Sequence, residues 1–162
     1  MSNILIRKIQ SSDNQVLAGI IRSSLIEFNA AKPGTVYFDP TTDALYELFQ
    51  TPGSIYFVLE ENGEVMGGAG LYPTAGLPAG VCELVKLYLS KNARGKGFGN
   101  QLMEKCIHQA RQMGYDNIYL ESMPELKMAV SMYLKFGFRH IDHEMGNSGH
   151  TGCDIWMVKE LI

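Results

Sequence analysis

The segment "ARGKGFGNQLMEKC", Ala93–Cys106, opens with three glycines and two cations within Arg94–Gly99 and continues with the apolar spacing of a helix. The run before it, Val81–Ser90, alternates apolar and polar residues, which predicts a strand. The first turn of a helix has backbone N–H groups without partners, and the helix dipole adds partial positive charge there. A strand, a glycine-rich turn and a helix in this order therefore predict an anion-binding site.

Two well-known phosphate motifs do not fit this turn. A P-loop requires G-x-x-x-x-G-K-[ST], but Lys96 precedes the second glycine and no serine or threonine follows. The dinucleotide motif G-x-G-x-x-G fails because Asn100 or Leu102 stands where its last glycine is needed. A purely structural turn remains an alternative, although one or two glycines would suffice for it. The spacing that does fit is [RQ]-x-x-G-x-[GA], from Arg94 to Gly99.

With this spacing the sequence resembles the GNAT superfamily of acetyl-CoA-dependent N-acetyltransferases. "LVKLYLSKNARGKGFGNQLME" is similar to the family's fourth strand, pyrophosphate loop and third helix, and "AVSMYLKFGF" is similar to its fourth-helix signature A-x-x-x-Y-x-x-x-GF. The resemblance covers almost the whole chain and is closest to small bacterial members, of a type sometimes fused to MarR regulators. It implies that the bound anion is the pyrophosphate of coenzyme A.

The remaining hydrophobic patterns predict a mixed α/β order, β-α-α-β-β-β-α-β-α-β-β. Strands are predicted over Ile4–Ile9, in a hairpin turning at Asn62–Gly63, and over Val81–Ser90, Asn117–Ser122, Phe138–Asp142 and Cys153–Leu161. Helices are predicted over Val16–Phe28, about Thr42–Phe49, up to Met113, and over Glu125–Phe136. We expect residues 1–162 to form a single GNAT domain, a mostly antiparallel sheet of roughly six to seven strands flanked by about four helices.

Composition limits the function classes. Apolar residues make up 46% and charged residues 19% of the chain, as in ordinary globular proteins. A formal net charge of −3 disfavours a nucleic-acid partner bound through a basic face. No segment has the apolar length of a signal peptide or a membrane span, so we expect no membrane partner. Three cysteines that match no compact disulfide framework are expected to be reduced thiols in the cytoplasm.

Acetyl transfer to an amine requires a neutral amine, a polarised thioester carbonyl and a proton for the departing thiolate. The resemblance implies that Tyr133 is the general acid and that Glu83 is the base or the amine anchor. Each could instead have a purely structural role, as a packed aromatic side chain for Tyr133 and as a structurally paired carboxylate for Glu83. The resemblance further assigns the coenzyme to the backbone of Leu87, Tyr88 and Leu89 and to the turn formed by Arg94, Gly95, Lys96, Gly97, Phe98, Gly99 and Asn100.

The acceptor side is less defined. Glu121 competes with Glu83 for the role of base, Tyr37 is a candidate lid residue, and His150 is expected to contact substrate or to order its loop. Leu126 stands where many relatives carry an asparagine that contacts the pantetheine arm. That contact is therefore absent or is supplied elsewhere, by Ser122 or Ser131.

A zinc site is a rival hypothesis for the tail "HIDHEMGNSGHTGC", where three histidines and a cysteine follow one another closely. The segment lacks the Cys-x-x-Cys half of such sites, and the resemblance implies no metal. We therefore expect acetyl-CoA as the co-substrate and no metal.

The leading prediction is an N-acetyltransferase that transfers acetyl directly to a primary amine, of a small molecule rather than a protein, in a ternary complex. A covalent acetyl-enzyme is disfavoured because no cysteine lies in an evident nucleophile setting. A protein or peptide N-acetyltransferase and a non-catalytic acyl-CoA sensor are the alternatives. Members of the family often dimerise, so a homodimer is an open alternative to a monomer.

Overall fold

Residues 2–162 are described in a computed structural model of the chain. The strands are β1 Ile4–Lys8, β2 Ile55–Glu61, β3 Glu64–Tyr72, β4 Val81–Leu89, β5 Asn117–Ser122, β6 Arg139–Ile141 and β7 Ile155–Glu160. The α-helices are α1 Asn14–Glu27, α2 Leu45–Leu48, α3 Phe98–Gln112 and α4 Lys127–Lys135. Short 3₁₀ turns precede α1, α2 and α3.

The strands form one sheet in the order β1-β2-β3-β4-β5-β7-β6. Every neighbouring pair is antiparallel except β4 and β5, which run parallel. The hairpin between β2 and β3 turns at Asn62 and Gly63, both at positive φ (55° and 82°), as a tight two-residue turn requires. The predicted fold class, a mostly antiparallel sheet with four α-helices in the described part of the chain, is confirmed.

Each face of the sheet is covered by two helices. Helices α3 and α4 pack against one face, where Leu102, Met103 and Tyr133 belong to the larger core cluster. Helices α1 and α2 cover the other face, with Leu17 and Leu45 in a second cluster. This double cover explains why the central strands β2 to β4 consist largely of buried apolar residues.

The central strands β4 and β5 diverge. They pair only from Val81↔Asn117 to Glu83↔Tyr119, although β4 continues to Leu89. Beyond that point the edge of β4 that faces β5 is released from the ladder. A cleft therefore opens in the middle of the sheet.

A bulge bends β4 at the same level. Val85 pairs with Gly70 of β3 and Tyr88 pairs with Gly68, so β4 has one residue more than its partner across this step. Lys86 lies in the bulge at φ 53°, in the left-handed region that side chains other than glycine rarely adopt. Such a conformation costs on the order of 1–3 kcal/mol and persists only where the surroundings enforce it.

One predicted element differs in detail. The helix expected over about Thr42–Phe49 is a 3₁₀ turn, Pro40–Asp43, followed by the single α-turn of α2. Ala44 separates them at φ −134°, and the Asp39 carboxylate caps the first turn through the Thr41 backbone N–H. Within residues 2–162, no helix has the length and apolar character needed to cross a membrane.

Candidate active site

A cavity of about 460 Å³ occupies the cleft between β4 and β5. It extends from the glycine turn to the loop that joins β6 to β7. Of the predicted site residues it is lined by Glu83, Leu87, Tyr88, Leu89, Arg94, Gly95, Gly97, Phe98, Gly99, Asn100, Glu121, Tyr133 and His150. Tyr37 and Lys96 do not line it. The fold thus brings residues from distant parts of the sequence to one chamber.

The glycine turn presents bare backbone to this chamber. Gly97 precedes α3 at φ 82°, and no side chain caps the helix. A Cβ atom added at Gly95 or Gly97 would meet nothing within 4 Å. The first N–H groups of a helix from Phe98 to Gln112 therefore face an open approach, as an anion site requires.

The two cations of the turn are engaged elsewhere. Arg94 donates to Glu27 at 2.7 Å and to the Leu89 carbonyl at 3.2 Å, and its guanidinium lies 4.7 Å from the centre of the Phe28 ring. Lys96 pairs with Glu61 at 3.1 Å. Arg94 thus ties the turn to α1, so the attraction for an anion comes mainly from the helix backbone.

Tyr133 of α4 reaches the cavity from the α3/α4 side. Its side chain is buried, and its ring lies 5.9 Å from that of Phe138. Burial raises the pKa of the phenol, so the hydroxyl stays protonated at neutral pH. This is the protonation state that a general acid needs before it donates.

Glu83 enters from β4 and is only 3% exposed. Its Oε1 accepts a hydrogen bond from Thr74 Oγ1 at 2.5 Å. Burial raises the pKa of Glu83 to about 7, although the Thr74 hydrogen bond opposes the shift and the Glu121 carboxylate adds to it. A carboxyl group with this pKa can take up a proton near neutral pH.

Glu121 has both oxygens engaged. Tyr119 donates to one at 2.6 Å, and Ser148 donates to the other at 2.5 Å. The Tyr119 hydroxyl in turn accepts from the Met145 backbone N–H at 3.1 Å. Glu121 therefore fastens the β6–β7 loop to the sheet, while its carboxylate still borders the cavity.

His150 bonds a second loop. Its Nε2 lies 2.8 Å from Asp39 Oδ2, and the Gly152 N–H donates to the Gly34 carbonyl at 2.8 Å. Burial raises the pKa of Asp39, but the hydrogen bonds from His150 and Thr41 outweigh it and lower that pKa to about 2. We call these two contacts the clasp, because they join the α1–α2 loop to the β6–β7 loop at the edge of the cavity.

Tyr37 lies on the outer part of the α1–α2 loop. Its carbonyl accepts from Arg22 Nε at 3.1 Å, and its ring packs 4.9 Å from that of Phe38. Arg22 is itself paired with Asp43. These contacts stabilise the loop, and it is Thr35 and Val36 of that loop that line the cavity.

Three cavity residues were missed or left open by sequence reasoning. Lys86 is only 7% exposed, and its sole signal was a lysine interrupting an apolar strand. The Ser122 hydroxyl is buried and finds no hydrogen-bond partner within residues 2–162, a feature that sequence cannot reveal. Cys153 lines the cavity as a free thiol, whose pKa burial raises to about 12. Such a thiol stays protonated and is a poor nucleophile.

No group of three or more His, Cys, Asp or Glu side chains between residues 2 and 162 is arranged to hold a metal ion. His140 lies on strand β6, and the His143 ring contacts the Glu144 carbonyl at 3.0 Å. His150 is held by Asp39. The tail histidines thus have separate surroundings.

Comparison with known proteins gives a consistent result. Residues 15–138 match the acetyltransferase (GNAT) family model. The chain is 39% identical over 158 residues to the uncharacterized N-acetyltransferase YjgM of Escherichia coli (strain K12), a match covering 97% of this chain and 95% of that protein.

Solved structures agree on the fold. A GNAT-family acetyltransferase from Staphylococcus aureus Mu50 superposes with a TM-score of 0.84 at 20% identity, over 99% of this chain and 100% of that one. The PaiA N-acetyltransferase of Thermoplasma acidophilum, solved in complex with coenzyme A, superposes with a TM-score of 0.76 at 21% identity, over 98% and 99% of the two chains.

Proposed function

The chain belongs to the acetyltransferase (GNAT) family, and from this premise we propose that it transfers an acetyl group from acetyl-CoA to the primary amine of a small molecule. Transfer is direct, with both substrates bound at once. The observation that carries the proposal is one cavity that connects the uncapped start of α3 with two buried acid–base groups, Glu83 and Tyr133. The enzyme class follows from the family, and the acceptor is the new element.

The residues present suit the coenzyme. Open space beside Gly95 and Gly97 admits a pyrophosphate to the N–H groups of α3. The released edge of β4, from Leu87 to Leu89, offers backbone groups to an extended pantetheine arm. The unpartnered Ser122 hydroxyl supplies one more hydrogen bond in the same chamber. When bound, acetyl-CoA supplies an acyl group activated as a thioester.

The protein then moves two protons. Glu83 takes a proton from the acceptor ammonium, which leaves the nitrogen lone pair free to bond to the acyl carbon. Tyr133 donates its proton to the sulfur as the carbon–sulfur bond breaks. The nitrogen is positively charged after the attack and gives up its second proton to solvent as the amide forms. Solvent then restores the starting protonation of Glu83 and Tyr133. Burial keeps Tyr133 protonated, as a proton donor needs, and a pKa of about 7 leaves a substantial share of Glu83 as the carboxylate that a base needs near neutral pH.

The clasp supports a small acceptor over a protein one. It joins the two loops at the acceptor side through His150–Asp39 and Gly152–Gly34. A lysine on a protein surface would need an open groove there. The raised pKa of the Cys153 thiol opposes a covalent acetyl-enzyme.

Calorimetric titration with acetyl-CoA tests the donor site. Gly97→Trp would fill the approach to α3 and is expected to abolish binding. Gly114→Trp is the matched control, because Gly114 also has a positive φ and open space around it but does not line the cavity. Both substitutions strain the backbone alike, so only loss specific to Gly97 supports the assignment. Absence of binding by the wild type would contradict the proposed function.

We also propose that the enzyme works in the cytoplasm. Cys82, Cys106 and Cys153 are all free thiols, and a reducing compartment keeps thiols in that state. The non-catalytic sensor is the less favoured alternative, since a sensor has no need of a base with a pKa near neutrality in the same cavity as a protonated tyrosine.

A further inference from the structure

Lys86 is a mostly buried cation that lines the cavity and has no partner among the residues that the structure describes. It is 7% exposed. Among residues 2–162, no carboxylate lies within 4.0 Å of its ammonium and its side chain makes no hydrogen bond. The ammonium is not one of the fully buried unpartnered atoms, so it reaches the open space of the cavity. Lysine is almost never buried this deeply without a pair. A partner from outside the chain would relieve the cost.

The bulge in β4 decides which way this lysine faces. In a regular strand, residues three apart point to opposite faces, so Glu83 and Lys86 would be separated by the sheet. The extra residue between Val85 and Tyr88 breaks the alternation. Burial lowers the pKa of Lys86, but its ammonium now lies close enough to Asp39 and Glu83 for both carboxylates to oppose that shift and favour the charged form.

The hydrogen bonds already made show which charges still need a partner. Asp39 is satisfied by His150 and Thr41, and Glu121 by Tyr119 and Ser148. Glu83 uses one oxygen, for Thr74, and keeps Oε2 free. The charged groups with unused capacity at this end of the cavity are thus one carboxylate oxygen and one ammonium, three residues apart on the same strand.

We propose that the acceptor is a free amino acid, whose carboxylate binds Lys86 while its amine meets Glu83. This inference rests on the proposed function and deepens it, since it names the acceptor class of that site. A zwitterion places one negative and one positive group a few bonds apart, which matches the neighbouring unsatisfied groups. Burial strengthens both contacts because few waters compete for them.

An acceptor with a second positive charge, such as a diamine, is less well matched. The carboxylates that would hold its second cation, Asp39 and Glu121, already have their hydrogen bonds. A diamine would also leave the Lys86 ammonium unpaired and add a further cation beside it. A protein lysine side chain has no carboxylate near its amine and would likewise leave Lys86 without a partner.

The test uses matched acceptors. Initial rates of coenzyme A thiol release are measured with a panel of free L-amino acids, their carboxamides and the corresponding decarboxylated amines. The carboxamide has the more acidic ammonium and hence more neutral amine at a given pH. A preference for the free acid therefore reports binding of the carboxylate. We expect the wild type to favour free acids by about 10- to 100-fold in kcat/KM, the range of a charge-assisted hydrogen bond.

Two variants assign the preference to Lys86. Lys86→Met removes the charge at similar length and should abolish the discrimination between acid and amide, by raising KM for the acid with little change in kcat. Lys86→Arg keeps the charge and should restore much of the preference. The ratio of the two acceptors is internally controlled, because damage to the fold would lower both rates together. An unchanged affinity of Lys86→Met for acetyl-CoA in calorimetry would confirm an intact donor site.

The outcomes separate the two proposals. Equal use of acids and amides by the wild type, or a preference that survives in Lys86→Met, would overturn the amino-acid inference. Turnover of amines or peptides but not amino acids would overturn it while sustaining the proposed N-acetyltransferase. Absence of acetyl-CoA binding together with absence of turnover for every class would overturn both.

Discussion

The two ends of the cavity are built on different principles. The donor end is backbone, namely the first turn of α3 behind Gly97 and the released edge of β4. The acceptor end consists mainly of side chains, with Glu83 and Lys86 on β4, Glu121 on β5 and the clasp between two loops. A backbone site depends on local geometry and tolerates many side chains around it. A side-chain site changes character with each substitution, so the acceptor end is where relatives sharing this fold can differ in specificity.

The largest effect is expected at Tyr133, the protonated phenol that lines the cavity. Tyr133→Phe removes the proton donor while keeping the ring against Phe138, so we expect kcat to fall about 10²- to 10⁴-fold with acetyl-CoA affinity unchanged. Steady-state kinetics and calorimetry on the same variant measure both. If kcat were retained, Tyr133 would be a packing residue only.

Glu83 gives the next largest effect and a characteristic pH dependence. A pKa of about 7 predicts that kcat/KM rises with pH through neutrality as the carboxylate forms. Glu83→Gln should lower kcat by about 10²-fold or more and remove this limb of the pH profile. If Glu83→Gln kept the rise of kcat/KM with pH, the general base would be a group other than Glu83.

Stability offers a second check on Glu83. Its pKa in the folded state lies above the usual value of 4.5, so the folded protein holds more protons than the unfolded chain between these values. The free energy of unfolding should therefore fall as pH rises from about 4.5 to about 7, a loss of roughly 2–3 kcal/mol for this group. Denaturant titrations at pH 5 and pH 8 should show a smaller loss in Glu83→Gln than in the wild type.

Weakening the clasp should lower the affinity for the acceptor and leave the affinity for acetyl-CoA unchanged. Asp39→Asn weakens the contact to His150, so we expect KM for the acceptor to rise about 10-fold with the affinity for acetyl-CoA unchanged. The pKa of Asp39 is lowered to about 2. The contribution of the Asp39 carboxylate to the free energy of unfolding is therefore present above pH 4 and lost as pH falls towards 2. The unfolding free energies of the wild type and Asp39→Asn should become equal near pH 2. If the acceptor KM were the same for the wild type and Asp39→Asn, the clasp would have no role in acceptor binding.

The smallest effect is expected at Lys96. Its ammonium pairs with Glu61 and does not line the cavity. Lys96→Ala should therefore change the dissociation constant of acetyl-CoA less than about threefold, the range of a surface ion pair. A large loss of affinity would mean that the donor end depends on side-chain charge as well as backbone.

Most of the fold could be predicted because its signals are local. The hairpin at Asn62–Gly63, the strand that precedes the glycine turn and the helix that follows it each depend on residues within a few positions. The helix before Phe49 was predicted too long because the Asp39 cap and the break at Ala44 do not alter the apolar spacing. Tyr37 was singled out as an aromatic lid residue, but neighbouring Thr35 and Val36 line the cavity.

By itself the sequence determined the α/β order and the glycine turn, since spacing along the chain carries that information. Its resemblance to the GNAT superfamily added Tyr133 and Glu83 as candidates. Only the tertiary structure decided where Arg94 and Lys96 direct their charge, that Asp39 meets His150, and that Lys86 shares a face with Glu83. The physical reason is that one extra residue in β4 reverses the side-chain alternation, and a bulge depends on how β4 pairs with β3. The register between two strands cannot be predicted from the local sequence pattern of either strand.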